Sequence, residues 1–91
     1  MPYTLQTDTD QQQYFFDLPE GRPHIDYKRK GERIYLIHTE VPKALEGQGI
    51  GSALVKQTLM DIDEQGLRLV PLCPFVAAYV ERHAEWGRLV A

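Results

Sequence analysis

Three glycines alternate in Glu46-Gly47-Gln48-Gly49-Ile50-Gly51, and a helix-forming pattern begins directly behind them. Glycine lets main chain approach a ligand closely. Unpaired N–H groups at a helix start, backed by the positive end of the dipole, attract phosphate. The stretch therefore suits an anion, although the same glycines would also serve a tight connection that packs helix against sheet. His38 and Glu40 stand two apart in a strand pattern, so they face one side of a sheet and can pair as imidazole and carboxylate. A pair of that kind can take a proton from an acceptor. Cys73, the only cysteine, precedes a second helix. A helix start favours its thiolate, which would suit a nucleophile, while a lone cysteine also serves as pocket lining or as a small buried hydrophobe.

Other phosphate loops fit the glycines badly. A P-loop needs Gly-x-x-x-x-Gly-Lys-Ser/Thr, and no lysine stands where that pattern requires it. In the dinucleotide fingerprint Gly-x-Gly-x-x-Gly the third glycine comes one position later than Gly51, and the motif follows the first strand of a βαβ unit, not a hairpin strand.

The elements that must carry these residues can be read from periodicity. Residues 1–12 are polar, with Thr7-Asp8-Thr9-Asp10 among them, and a loosely held start is expected. Tyr14-Phe15-Phe16 reads as a first strand, closed by the turn chemistry of Leu18-Pro19-Glu20-Gly21. His24 to Lys28 alternates with period two, and Arg33 to Val41 is rich in β-formers up to Pro42. A hairpin follows from their proximity, with the first strand joining it as a meander. Ile50, Leu54, Val55, Leu59 and Ile62 form a helical stripe with Gly66 as its stop, although Asp61, Asp63 and Glu64 oppose the dipole there. Leu67-Arg68-Leu69-Val70 is a short strand. Pro74 opens a second helix that carries Phe75, Val76, Tyr79 and Val80 and runs to Trp86-Gly87. The order is β-β-β-α-β-α, an α/β (mixed α+β) sheet with an antiparallel meander and one right-handed parallel crossover.

The 91 residues are 43% hydrophobic and 25% charged, with net charge -3, which predicts one globular domain. No run of about 18 apolar residues suggests a membrane span, and the start lacks a signal-peptide pattern, so a cytoplasmic location is expected. The histidines are too scattered to suggest a zinc site. Lys28-Arg29-Lys30 is the only basic cluster, at a hairpin tip, and does not amount to a nucleic-acid footprint.

The stretch His38-Thr39-Glu40-Val41-Pro42, continuing through Gly47-Gln48-Gly49-Ile50-Gly51-Ser52-Ala53-Leu54-Val55, resembles motif A of the GNAT (N-acetyltransferase) superfamily. With Val70-Pro71-Leu72-Cys73-Pro74-Phe75-Val76-Ala77-Ala78-Tyr79 it is similar to the short, single-domain Yjdj-type members. The resemblance spans roughly residues 33–86 and implies one acyl-CoA-binding domain over 13–91. It implies that Gly47, Gln48, Gly49, Ile50, Gly51 and Ser52 hold the pyrophosphate of coenzyme A. It further implies that the main chain of Thr39 and Val41 pairs with pantetheine, an amide-rich arm able to complete a strand edge. The superfamily has Gln or Arg where this chain has Glu46, a carboxylate expected to point away, with Lys43 or Lys56 as compensating charge.

The implied activity is acetyl transfer from acetyl-CoA to an amine. Glu40 and His38 are then candidates for the base, and Cys73 lies where the resemblance places the thioester. Tyr79 is near the tyrosine that many members use as general acid, although Glu81-Arg82 aligned with the usual pair puts Val80 at that position. The short N-terminal region leaves the acceptor side open to completion by a second copy (a homodimer), or to a large partner such as a protein lysine or N-terminus. Two other readings stay open: a non-catalytic acyl-CoA-binding module, and a structural or protein-interaction domain whose glycine loop is only a connection.

Overall fold

In the computed structural model, which describes residues 3–91, four antiparallel strands precede the first helix instead of three. They are β1 (Gln6–Asp8), β2 (Gln13–Phe15), β3 (His24–Lys30) and β4 (Arg33–Glu40), followed by a one-turn 3-10 helix at Lys43–Leu45. Then come α1 (Ile50–Glu64), β5 (Arg68–Pro71), α2 (Pro74–Arg82) and a 3-10 helix over Ala84–Leu89. The sheet runs β1-β2-β3-β4-β5 with only β4 and β5 parallel. The unexpected β1 lies in the segment expected to be loose. Its residues have no apolar alternation, and it exists through its pairing with β2, Gln6 opposite Phe15 and Asp8 opposite Gln13. Met1 and Pro2 of that polar start lie outside the described residues.

Both helices pack on one face of the sheet. Tyr14, Ile25, Ile34, Leu36 and Leu69 point toward them and are buried, as are Leu54, Val55, Leu59 and Ile62 of α1 and Val76 of α2. Each such aliphatic side chain stabilises the fold by about 1.5–3 kcal/mol relative to exposure. The α1 stripe is as wide as its sequence predicts, and the helix stops in a Schellman motif. Gly66 takes φ 71, its N–H reaches Asp63 O at 3.0 Å, and Leu67 N–H reaches Ile62 O at 3.1 Å.

The acidic end of α1 is offset by specific partners. Asp61 accepts hydrogen bonds from the Tyr14 hydroxyl at 2.8 Å and the Gln65 amide at 2.6 Å. Both oxygens of Asp63 meet Arg88, each at 2.8 Å. The second helix is shorter than its pattern suggests. At His83 (φ -123, ψ 74) the chain leaves α-geometry, with the backbone N–H and the ring Nδ1 both 2.9 Å from Tyr79 O. Trp86 therefore lies in the 3-10 helix. No helix among the described residues is long and apolar enough to cross a membrane.

Candidate functional site

The site begins with a change of register in β4. Asp26 pairs with His38 but Tyr27 with Leu36, so Ile37 is an extra, bulged residue. Beyond it, Thr39 shares the helix-covered face with Leu36, while His38 and Glu40 share the opposite face. The main chain follows suit. Phe16 N–H bonds to Pro23 O and Tyr27 N–H to Gln12 O, so the odd residues of β3 turn toward β2 and its even residues toward β4. In an antiparallel pair this makes His24–Glu40 and Asp26–His38 the hydrogen-bonded partners, and Thr39 and Val41 turn their N–H and C=O groups away from β3.

On that side β5 has already diverged. Its pairing with β4 ends at Leu36–Pro71, where Cys73 N–H still reaches Leu36 O at 2.9 Å. The last residues of β4 thus offer a free strand edge.

The glycine loop closes the other side of this gap. Gly47 and Gly49 have φ of 79 and 75, the left-handed region that glycine tolerates best. A Cβ on either would meet nothing within 4 Å, whereas one on Gly51 would come within 3.0 Å of the Phe75 ring. The two earlier glycines therefore serve the turn and an open approach, and the third serves close packing between the helix starts. Gly49 is the N-cap of α1 without a side-chain cap. The first helical bond runs from Ala53 N to Gly49 O at 3.0 Å. Within the helix, the N–H groups of Ile50, Gly51 and Ser52 have no carbonyl to meet.

Edge and loop open on one cleft of about 510 Å³. Thr39, Glu40 and Val41 line it from β4, and Gly47, Gly49, Ile50, Gly51 and Ser52 from the loop and α1. Its remaining walls are Leu45, Glu46 and Phe75. Phe75 had a sequence signal: it follows Pro74 at a helix start and stands one turn before Tyr79 on the same stripe. Glu46 does not turn away as expected. It borders the cleft, as Glu40 does, and neither Lys43 nor Lys56 lines it. Main-chain donors fit an anion here, and the two carboxylates weaken its hold. Gln48 is not part of the wall; its side-chain amide reaches Ala44 O at 3.4 Å.

Of the other candidate residues, His38 and Glu40 form a pair, Nε2 to Oε2 at 2.9 Å, with each side chain 58% exposed. No helix covers His38. Cys73 is buried, and its Sγ lies 3.3 Å from Thr39 Oγ1, tying α2 to β4 where the strands part. Tyr79 is buried in the core and stacked on His83 with ring centroids 4.0 Å apart. Burial pushes its phenol pKa up, with Glu85 adding to the effect, so the hydroxyl holds its proton firmly. His38, Cys73 and Tyr79 do not line the cleft.

A sequence profile described as GCN5-related N-acetyl-transferase matches residues 13–89. The proteins named NATD1 from Mus musculus and Gallus gallus are each 32% identical over 85 residues, spanning 90% of this chain and 77% of theirs. The solution NMR structure of a GCN5-like protein from Staphylococcus aureus superposes with a TM-score of 0.74. That match covers 100% of this chain and 91% of the other at 21% identity, a likeness of fold.

Proposed function

We propose, on the premise that this chain belongs to the GCN5-related N-acetyltransferase family, that it binds acetyl-CoA in the cleft at the start of α1 and transfers the acetyl group to an amine acceptor. The observation that carries this reading is the meeting of two unfilled hydrogen-bonding surfaces in one cleft. These are the helix-start N–H groups of Ile50, Gly51 and Ser52 and the free edge at Thr39 and Val41. Donors along Gly47–Ser52, Gln48 included, would hold the diphosphate. The main chain of Thr39 and Val41 would take the amide-rich arm.

When bound, the coenzyme supplies an acyl thioester. Glu40, paired with His38, would take a proton from the acceptor's ammonium and so free the amine to attack the thioester; it borders the cleft and lies open to solvent. Tyr79 stands one helical turn from Phe75 and is the candidate proton source for the departing thiolate, a role its burial works against. Cys73 narrows the gap beside them.

A second reading, a non-catalytic acyl-CoA-binding module, is favoured by one observation: of Glu40, His38, Cys73 and Tyr79, only Glu40 lines the cleft. Thermal melting tests the shared part. Acetyl-CoA at 100 times its dissociation constant stabilises by about 2.7 kcal/mol, roughly 10–20 °C for a domain of this size. An unchanged melting temperature at millimolar ligand would sink both readings and leave a structural domain. Release of free thiol in the presence of small amines and peptides separates the two. In the same assay, undiminished transfer by Cys73→Ala would remove any covalent step through the sulfur.

A further inference from the structure

One whole face of the sheet carries no helix. Its residues include His24, Asp26 and Lys28 of β3 and Tyr35, His38 and Glu40 of β4, none of which is buried. The register sorts them by charge along the strands. At the cleft end, His24 lies opposite Glu40 and Asp26 opposite His38; further along, Lys28 lies opposite Tyr35 and Lys30 opposite Arg33. The carboxylates at the first end have internal partners: Glu40 bonds His38, and Asp26 accepts from Gln13 at 2.9 Å. Lys28, Lys30 and Arg33 take part in none of the ion pairs among the described residues.

Between the two ends lies an apolar strip. Ile37 is 39% and Leu72 58% exposed, and with Tyr35 they border a hollow of about 230 Å³. Ile37 and Leu72 also flank the point where β4 and β5 part. Glu40 borders the cleft and belongs to this outer face, so the face begins where the cleft ends.

We propose that this outer face seats the acceptor, and that the acceptor is an extended polypeptide segment bearing one lysine followed at a distance by acidic residues. The proposal rests on the acetyl-transfer reading and adds to it the substrate class. An ammonium group is attracted to the Asp26 and Glu40 end and repelled from Lys28, Lys30 and Arg33, so the charge gradient fixes which end receives the lysine. The cationic end then requires anionic side chains on the same segment, and the hollow requires an apolar one between. A small amine would leave this row of matched features uncovered. Because Ile37 is bulged, the Asp26–His38 pair lies two strand steps, roughly 7 Å, from the Lys28–Tyr35 pair and four, roughly 13 Å, from Lys30–Arg33, at about 3.3 Å per residue. An extended segment has the same rise. Side chains alternate along it, so its apolar residue falls about two positions from the lysine and its acidic residues about four.

Fluorescence anisotropy with two labelled peptides tests this without coenzyme. One carries lysine, one small residue, leucine and three glutamates; the other has the glutamates replaced by lysines. The acidic peptide should bind about tenfold tighter at low salt, the scale of two or three exposed ion pairs, and the gap should close at high salt. Amide shifts on titration should centre on Lys28, Tyr35, Ile37 and Leu72. The double variant Lys28→Glu with Lys30→Glu, both exposed positions, should invert the preference at an unchanged melting temperature.

Equal binding of the two peptides, or a preference untouched by the reversal, overturns the proposal. So does a concentration-dependent dimer whose shifts map to the same residues, since a second copy would then own the face. A normal acetyl-CoA melting shift with no peptide preference defeats this proposal alone. Peptide preference without any acetyl-CoA shift defeats the acetyl-transfer reading and the acceptor role with it.

Discussion

The two helices start side by side at the same end of the sheet, and their first turns are finished in opposite ways. At α2 the start is largely closed: Pro74 has no N–H, Cys73 N–H is bonded to Leu36 O, and the Cys73 sulfur is buried against Thr39, which leaves only the N–H groups of Phe75 and Val76. At α1 the cap is a left-handed glycine with no side chain to offer, and open space surrounds it. One start is tied into the core; the other opens on the cleft. Their far ends reverse the order. The last turns of α1 are pinned by Tyr14 and Arg88, while α2 passes into 3-10 geometry at His83.

Filling the open start should have the largest effect. Aspartate tolerates the left-handed conformation better than most residues, so Gly49→Asp should fold, while its carboxylate repels a diphosphate at the N–H groups. Acetyl-CoA affinity, measured by calorimetry, should fall at least about tenfold, or 1.4 kcal/mol. Unchanged affinity would erase the contrast between the two starts.

At the pinned end, Tyr14→Phe should cost about 1.5–3 kcal/mol near neutral pH, the scale for a hydrogen bond to a charged group, without altering that affinity. Burial, followed by the bond to Asp61, pushes the Tyr14 phenol well above its ordinary value of 10.0. A raised folded-state pKa stabilises fully below that ordinary value and is lost as pH rises through the folded one. The difference between wild type and variant in urea titrations should therefore shrink on the alkaline side of about pH 10.

The smallest effect is expected for Asp63→Asn. Arg88 holds the Asp63 carboxyl below the usual range. That contribution is present above the unfolded carboxylate pKa and lost as pH falls through the folded one. Melting temperatures of variant and wild type should converge on acidification below about pH 4.

Much of this was legible in the sequence, for reasons that also explain what was not. The α1 stripe, its glycine stop and the hairpin are local patterns, and the residue types of the glycine loop suit an anion or a tight connection. Gln6–Asp8 announces nothing, because a polar edge strand is defined by its neighbour. The end of α2 was hidden because the residues after His83 remain compatible with a helix. Which face of the sheet stays bare is equally unreadable: Lys28, Tyr35 and Ile37 alternate no differently over a helix or over water. Of the cleft, the loop could be placed from the chain and the strand edge only through the family resemblance, whereas Glu46 and Phe75 enter through the packing of the two helix starts.

The extra residue at Ile37 has a consequence for everything downstream in its strand. It acts as a parity switch. Were β4 to run on in strict alternation from Leu36, the imidazole and carboxylate of His38 and Glu40 would be aimed into the hydrocarbon interior and Thr39 into water. One uncounted position sends the ionisable pair outward, where charge is tolerated, and leaves Thr39 to meet the thiol. The division of labour between the two sides of the sheet is thus set by an odd or even number of residues.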